Sequence, residues 1–145
     1  MANAIDNAIA RIQVLVDNLT SVTFKSTPDY PIENADPFPM SVVYLGGGQF
    51  SATNATVHHN FPTINVEFHF SRVNLKQTYQ QINAVALEFP KRIVADPTLA
   101  GTVTTIVMSG EQPITYTVRP FEFGKVISQM MLFVIPIKTL QTPQA

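Results

Sequence analysis

The alternation within residues 64–71 is the feature that most limits how this chain folds. Apolar side chains occupy every second position, and they are Ile64, Val66, Phe68 and Phe70. Because successive side chains of a strand point to opposite faces, the pattern predicts a half-buried strand with one apolar face. Such a strand belongs in a sheet that packs against a second layer of structure.

Two segments have the periodicity of amphipathic helices that would form this layer. In the first, near the N-terminus, apolar residues recur every three or four positions, at Ile5, Ile9, Ile12, Val16 and Leu19. The second starts at about Leu75, and its apolar face consists of Tyr79, Ile82, Val85, Ala86 and Phe89. Pro90 is expected to break or kink this helix, because its ring clashes with the preceding turn.

Further strands are expected around these helices. Their ranges are 21–25, 40–45, 102–108, 114–119 and 125–135. Pro136 is expected to end the last strand, and the gaps at 109–113 and 120–124 suit hairpin connections. Prolines make residues 26–39 an ordered or semi-ordered loop, and residues 138–145 are expected to be a flexible tail.

This order of elements predicts the fold class. We expect an α+β fold of two layers, in which a mixed or mostly antiparallel β-sheet is packed by two main α-helices on one face. The length of 145 residues corresponds to a single domain, residues 1–145, since domains usually contain about 100 to 200 residues.

Residues 46–62 interrupt the predicted strands. Gly46, Gly47 and Gly48 end the strand at 40–45, and the chain then stays polar and rich in small residues up to Pro62. We interpret this segment as a long loop or a mobile hairpin. Loops longer than about 12 to 15 residues in compact domains are usually functional or disordered.

Charged residues make up only 13% of the chain, against about 25% in a typical domain. A weakly charged surface is less protected against association, which favours work inside an assembly. The net charge of −1 argues against tight binding of DNA, which depends on neutralising phosphates. No signal peptide is recognised, and the longest apolar run, residues 130–135, is far shorter than the roughly 20 residues of a membrane span. We therefore expect no membrane partner.

The three histidines are the candidates for a metal site. His58 and His59 are adjacent, so on an extended chain they point in opposite directions and rarely bind one ion. His69 lies on the polar face of its predicted strand beside Glu67, and we interpret it as polar surface or a contact between subunits. We therefore expect no bound metal.

The sequence contains none of three common motifs of enzymes: a phosphate-binding loop, a serine nucleophile turn or a cysteine nucleophile. The three glycines are not followed by the lysine and Ser/Thr of a phosphate-binding loop. No Gly-x-Ser-x-Gly turn presents a serine nucleophile, and the absence of cysteine excludes a thiol nucleophile. We expect no catalytic residue and no cofactor, and we do not expect an enzyme.

The order of elements, together with two short stretches, resembles a known family. The stretches are residues 39–45, Pro-Met-Ser-Val-Val-Tyr-Leu, and residues 95–103, Ala-Asp-Pro-Thr-Leu-Ala-Gly-Thr-Val. The chain resembles the small tail-completion, or tail-terminator, neck proteins of long-tailed bacteriophages over nearly its whole length. That family often has the pattern Asp-x-Thr-Leu-Gly-Gly before a strand, and here Ala100 replaces the first glycine. In physical terms Asp96 and Pro97 stop the helix, Leu99 can fill the seam between helix and sheet, and Gly101 permits a tight entry into the next strand.

The resemblance implies a structural virion protein. Such proteins form a homo-oligomeric ring, commonly a hexamer, that caps the tail tube, ends its polymerisation and provides a docking surface for the head connector. The implied partners are the tail-tube protein and the head–tail connector or neck proteins, with genome DNA passing through the lumen without specific binding. The implied location is the tail or neck of the virion, with assembly in the host cytoplasm.

Two polar segments are the expected assembly interface, because loops on a rigid scaffold usually carry recognition. The expected residues are Asp29, Tyr30 and Glu33 in the proline-rich loop, and Gly46, Gly47, Gly48, Gln49, Phe50, His58 and His59. Other readings stay open: another neck or head-completion adaptor, a tail-tube subunit, or a small α+β ligand-binding protein with a closed apolar pocket.

Overall fold

The computed structural model describes residues 3–32, 37–52, 54–55, 58–107 and 113–139. These residues form two helices and five strands. The elements are α1 (Ala4–Asp17), β1 (Met40–Ala52), β2 (His58–Phe70), α2 (Leu75–Val94), β3 (Thr105–Ile106), β4 (Thr115–Phe123) and β5 (Val126–Lys138).

The five strands form one open antiparallel sheet. β2 pairs with β1 on one side and with β5 on the other, with Val66 opposite both Val43 and Phe133. The far edge of β5 pairs with β4 along most of its length and with β3 near Lys138. Together with the two helices, this sheet confirms the predicted α+β class.

The main core lies between the helices and one face of the sheet. That face carries the alternating residues of β2, which are fully buried as predicted, and the matching residues of β5. The rings of Phe68, Phe89 and Phe133 meet at centroid distances of 4.9–5.8 Å. Both helices contribute buried residues to this single cluster. They therefore cover the same face of the sheet.

α2 continues through Pro90 to Val94, so of the two expected effects of Pro90, a break or a kink, the break is wrong. A proline inside a helix removes one backbone hydrogen bond. Phe89 and Ile93 are both buried in the core on either side of that position. Their packing holds the helix together across the missing bond.

No strand forms at residues 21–25, contrary to expectation. The chain instead follows the outer edge of β1, where Ser41 N–H donates to the carbonyl of Ser26 and Val43 N–H to that of Pro28, each at 3.0 Å. This segment covers part of an edge that would otherwise attract another strand.

The second half of the sheet also differs from expectation. The predicted strand at 102–108 reduces to Thr105–Ile106, which pairs with β5, so β3 and β4 do not form the predicted hairpin; residues 108–112 lie outside the described part of the chain. The hairpin at 120–124 is confirmed as the connection of β4 to β5.

β5 runs past Pro136 to Lys138, because the Pro136 carbonyl still accepts from Val107 N–H at 2.8 Å. Lys138 is thus in a strand and Thr139 is buried. The tail expected at 138–145 is wrong for these two residues, and residues 140–145 lie outside the described part.

The turn after α2 has a left-handed backbone. Leu99, Ala100 and Gly101 have φ values of 48°, 58° and 82°. Leu99 is fully buried in the core, as expected. Asp96 accepts from Ala100 N–H at 2.9 Å and from Arg11 Nε at 2.7 Å. Burial alone would raise the pKa of Asp96, but these bonds hold it below its usual value.

Candidate assembly surface

The distal half of the β1–β2 hairpin extends beyond the rest of the sheet. β5 pairs with β2 only from Thr63 to Phe70. Beyond this pairing, Thr139 donates to the carbonyl of Asn60 from its N–H at 3.2 Å and its hydroxyl at 3.4 Å, and Lys138 Nζ lies 6.0 Å from the ring centroid of Phe61. Residues 46–52 and 58–62 therefore form a two-stranded arm, which we call the β1–β2 arm. It replaces the long loop expected at 46–62 and agrees with the hairpin alternative.

Close packing of the two strands explains two of the three glycines. The register shifts between Leu45 and Gly47, which leaves Gly46 in a bulge beside the carboxamide of Asn65. A Cβ at Gly48 would lie 2.8 Å from the Cα of Pro62, which is backbone and cannot rotate away. Glycine therefore permits the close approach of β1 and β2 at the base of the arm.

The arm presents most of the residues expected in the second polar segment. Gln49 pairs with Phe61, Phe50 with Asn60, and the two histidines, His58 and His59, lie opposite Ala52 and Ser51. Phe50 is 64% exposed. The described strands of the arm carry no Asp, Glu, Lys or Arg. The arm is thus a pair of strands without acidic or basic residues, whose β1 half is exposed and carries the ring of Phe50 on its surface.

The first polar segment lies at a different place, beside the middle of β1, where Tyr44 and Leu45 precede the arm. Asp29 and Tyr30 border a groove of about 480 Å³. We call it the α1–β1 groove, and its lining includes Ile5, Asp6, Asp29, Tyr30, Tyr44 and Leu45. Glu33 lies outside the described residues.

The two expected segments approach each other only at the base of the arm. Leu45 lines the groove and directly precedes the bulged Gly46. The histidines lie opposite Ser51 and Ala52, which at about 3.3 Å per residue is roughly 20 Å further along the strand. The structure therefore separates the predicted interface into a groove and an arm.

His69 is the residue that sequence reasoning placed wrongly. It does lie on the sheet face opposite the helices, but it is fully buried rather than part of a polar surface. The rings of Phe121 and Phe123 lie over it at centroid distances of 5.3 and 4.9 Å. These aromatics come from β4, and the pairing of β4 with β5 could not be inferred from the residues around His69.

A chain of four hydrogen-bonded side chains passes through His69. Its Nδ1 lies 2.8 Å from Ser128 Oγ and its Nε2 2.8 Å from Glu67 Oε1, while the hydroxyl of Tyr44 donates to Glu67. All members are satisfied when Nε2–H donates to Glu67 and the Ser128 hydroxyl donates to Nδ1. The network thus ties β1, β2 and β5 together on one face.

Electrostatics in this network favour an ionised Glu67 and a neutral Tyr44. Burial raises the pKa of Tyr44 to about 12, and its bond to Glu67 acts in the same direction. Burial of Glu67 opposes ionisation, but the bonds from His69 and Tyr44 lower its pKa below the usual value. Serine, histidine and a carboxylate thus lie in sequence, yet Ser128 has no exposed surface at which a substrate could reach its oxygen.

Comparison with other proteins does not assign a function to this chain. No protein-family description matches the chain, and no curated protein matches it. Within the described residues, no group of three or more His, Cys, Asp or Glu side chains could hold a metal ion. In the same part of the chain, neither helix is long and apolar enough to cross a membrane.

Proposed function

We propose that this chain is a structural protein of a bacteriophage tail or neck, which forms a ring that caps the tail tube and ends its polymerisation. The ring also provides the docking surface for the head connector. The observation that carries the proposal is the uncharged β1–β2 arm, which extends from a firmly packed sheet. The order of elements and the resemblance of residues 95–103 to tail-terminator proteins support the same function.

The arm has the properties of a segment that is covered in an assembly. Edge strands offer unpaired N–H and C=O groups, and soluble proteins usually protect them with charged residues or proline. The strand residues of the arm contain no charged side chain, and the proline, Pro62, stands at its base. A two-stranded hairpin alone is marginally stable in water. Contact with a neighbouring ring or tube subunit would stabilise it.

Ring formation sets the remaining expectations. A closed ring requires heterologous contacts, in which one patch meets a different patch of the next copy. We propose a hexamer whose partners are the tail-tube protein and the head–tail connector, in the virion and, during assembly, in the host cytoplasm. The net charge of −1 suits a lumen through which DNA passes without specific binding.

Deletion of residues 49–60 tests the function of the arm. The deletion joins Gly48 to Phe61 and leaves three residues between the paired Gly47 and Thr63, which suffices for a hairpin turn. We expect the variant to fold and to melt cooperatively, but to fail in joining heads to tails in a phage assembly assay. Normal joining by the folded variant would refute the proposed function of the arm.

Point variants make the same test more precise. Phe50→Ser removes the exposed aromatic ring of the arm and should reduce joining. Val73→Ser is the matched control, because Val73 is 96% exposed at a site away from the arm, and it should join normally. Electron microscopy of the purified protein with tail tubes then separates the alternatives. Rings at tube ends support a terminator, while long new tubes would identify a tube subunit.

A further inference from the structure

The outer face of α2 carries an apolar stripe around a lysine. Leu87, Lys91 and Val94 are spaced by four and three residues, so their side chains share one side of the helix. Leu87 is 69% exposed and Val94 is 49% exposed. Lys91 and Val94, with Pro90 and Ala95, border a shallow cavity of about 390 Å³. We call Leu87, Lys91 and Val94 the α2 stripe.

The α1–β1 groove has the complementary composition. Two carboxylates, Asp6 and Asp29, line it together with the aliphatic side chain of Leu45 and the ring of Tyr30. Tyr30 is 61% exposed, and Leu45 is about half exposed. Within the part of the chain that the structure describes, neither carboxylate forms an ion pair. The groove therefore offers negative charge beside apolar surface.

We infer that the α2 stripe of one copy docks in the α1–β1 groove of the next copy. An amphipathic helix that binds in a groove typically presents anchors at positions i, i+4 and i+7, which is the spacing of the stripe. Lys91 would lie opposite Asp6 and Asp29, while Leu87 and Val94 would cover Tyr30 and Leu45. The inference rests on the proposed ring and names its subunit contact.

The contact is heterologous, as a ring requires. The groove is built by α1, β1 and the loop between them, whereas the stripe lies on the solvent side of α2. After a first contact, one copy therefore keeps a free groove and the other copy keeps a free stripe. Repetition of such a contact closes a ring or produces a filament, and does not stop at a dimer.

Engineered cysteines test this contact, because the natural chain contains none. Leu87→Cys and Leu45→Cys are made in separate copies, mixed and oxidised. A disulfide needs Cα atoms within about 7 Å, so it forms efficiently only when the stripe lies in the groove. We expect a covalent dimer from the mixture, and a ladder of higher oligomers from one chain that carries both cysteines. Val73→Cys mixed with Leu45→Cys is the control and should give only background crosslinking.

Charge reversal provides an independent readout in analytical ultracentrifugation. Lys91→Glu and Asp29→Lys should each weaken self-association by about tenfold, as expected for one charge pair at an interface. The double variant should recover part of the loss, because the pair with residue 29 is restored in the opposite order while Asp6 is unchanged. This recovery would distinguish a direct contact from general destabilisation.

The outcomes separate this inference from the proposed function. Crosslinking at the control level, or no recovery in the double variant, would overturn the contact. Rings on tube ends without the crosslink would preserve the terminator function and reject only this interface. A specific crosslink ladder in a protein that ignores tail tubes would support the contact and reject the terminator function.

Discussion

Replacing Ala100 with glycine should stabilise the protein. Ala100 has a φ of 58°, in the left-handed region, which costs an L-residue about 1–2 kcal/mol. Its side chain is exposed, so the substitution loses no core packing. Glycine removes this cost but gives the unfolded chain more freedom, which offsets about 0.4–1 kcal/mol. The expected net gain in the free energy of unfolding is about 0.5–1 kcal/mol.

Thermal and urea denaturation measure this gain. For a domain of this size, about 1 kcal/mol corresponds to a rise in Tm of roughly 3 °C. The matched control is Ala10→Gly, since Ala10 is exposed in the middle of α1 and a glycine there should cost about 1 kcal/mol. The same substitution should thus have opposite effects at the two positions.

The reasoning would be refuted if the two substitutions did not change the free energy of unfolding in opposite directions. If Ala100→Gly were no more stable than the parent while Ala10→Gly lost stability as expected, Ala100 would not have a left-handed backbone in solution. The alignment of Ala100 with a glycine of the tail-terminator pattern would then lose its physical basis.

Three further predictions concern stability. Burial of Glu88 opposes its ionisation, but hydrogen bonds from Ser21 and Thr20 lower its pKa to about 2. The stability that this carboxylate contributes is therefore present above about pH 4.5 and is lost as the pH falls towards 2. Glu88→Gln should flatten the pH dependence of Tm in that range. Ser128→Ala should cost about 1–3 kcal/mol in urea denaturation, because it leaves the buried His69 Nδ1 without a partner; an unchanged midpoint would contradict the network. Gly48→Ala should speed amide hydrogen exchange in the arm, because its Cβ would collide with Pro62; unchanged exchange would argue against the described register.

Periodicity allowed the helices and the central strand to be predicted, because one apolar face repeats with the geometry of each element. The alternation of residues 64–71 correctly assigned Phe68 to the core and His69 to the opposite face. The burial of His69 was not predicted, because Phe121 and Phe123 lie over its ring only when β4 pairs with β5. Sequence patterns within one strand do not specify its neighbours.

For the β1–β2 arm, the sequence left a long loop and a hairpin as alternatives, and the structure has the hairpin. Residues 46–62 are rich in glycine and polar residues, which favour turns and loops. Backbone pairing needs no particular side chain, and β1 continues along β2 after the bulge at Gly46. The three glycines indicated an unusual backbone, but they did not distinguish a loop from two strands in close contact.

Residues 95–103, which carry the most specific part of the resemblance, lie where three parts of the fold meet. Asp96 bonds to Arg11 of α1, Leu99 is buried between helices and sheet, and the carbonyl of Pro97 accepts from Ile106 of β3 at 2.8 Å. Such a turn positions elements of this fold and does not by itself indicate which partners the protein binds. An assembly function must instead use exposed residues, and the described chain presents them in the arm, the α1–β1 groove and the α2 stripe. Deletion of the arm and crosslinking of stripe to groove therefore test the function, whereas Ala100→Gly tests the fold on which the resemblance depends.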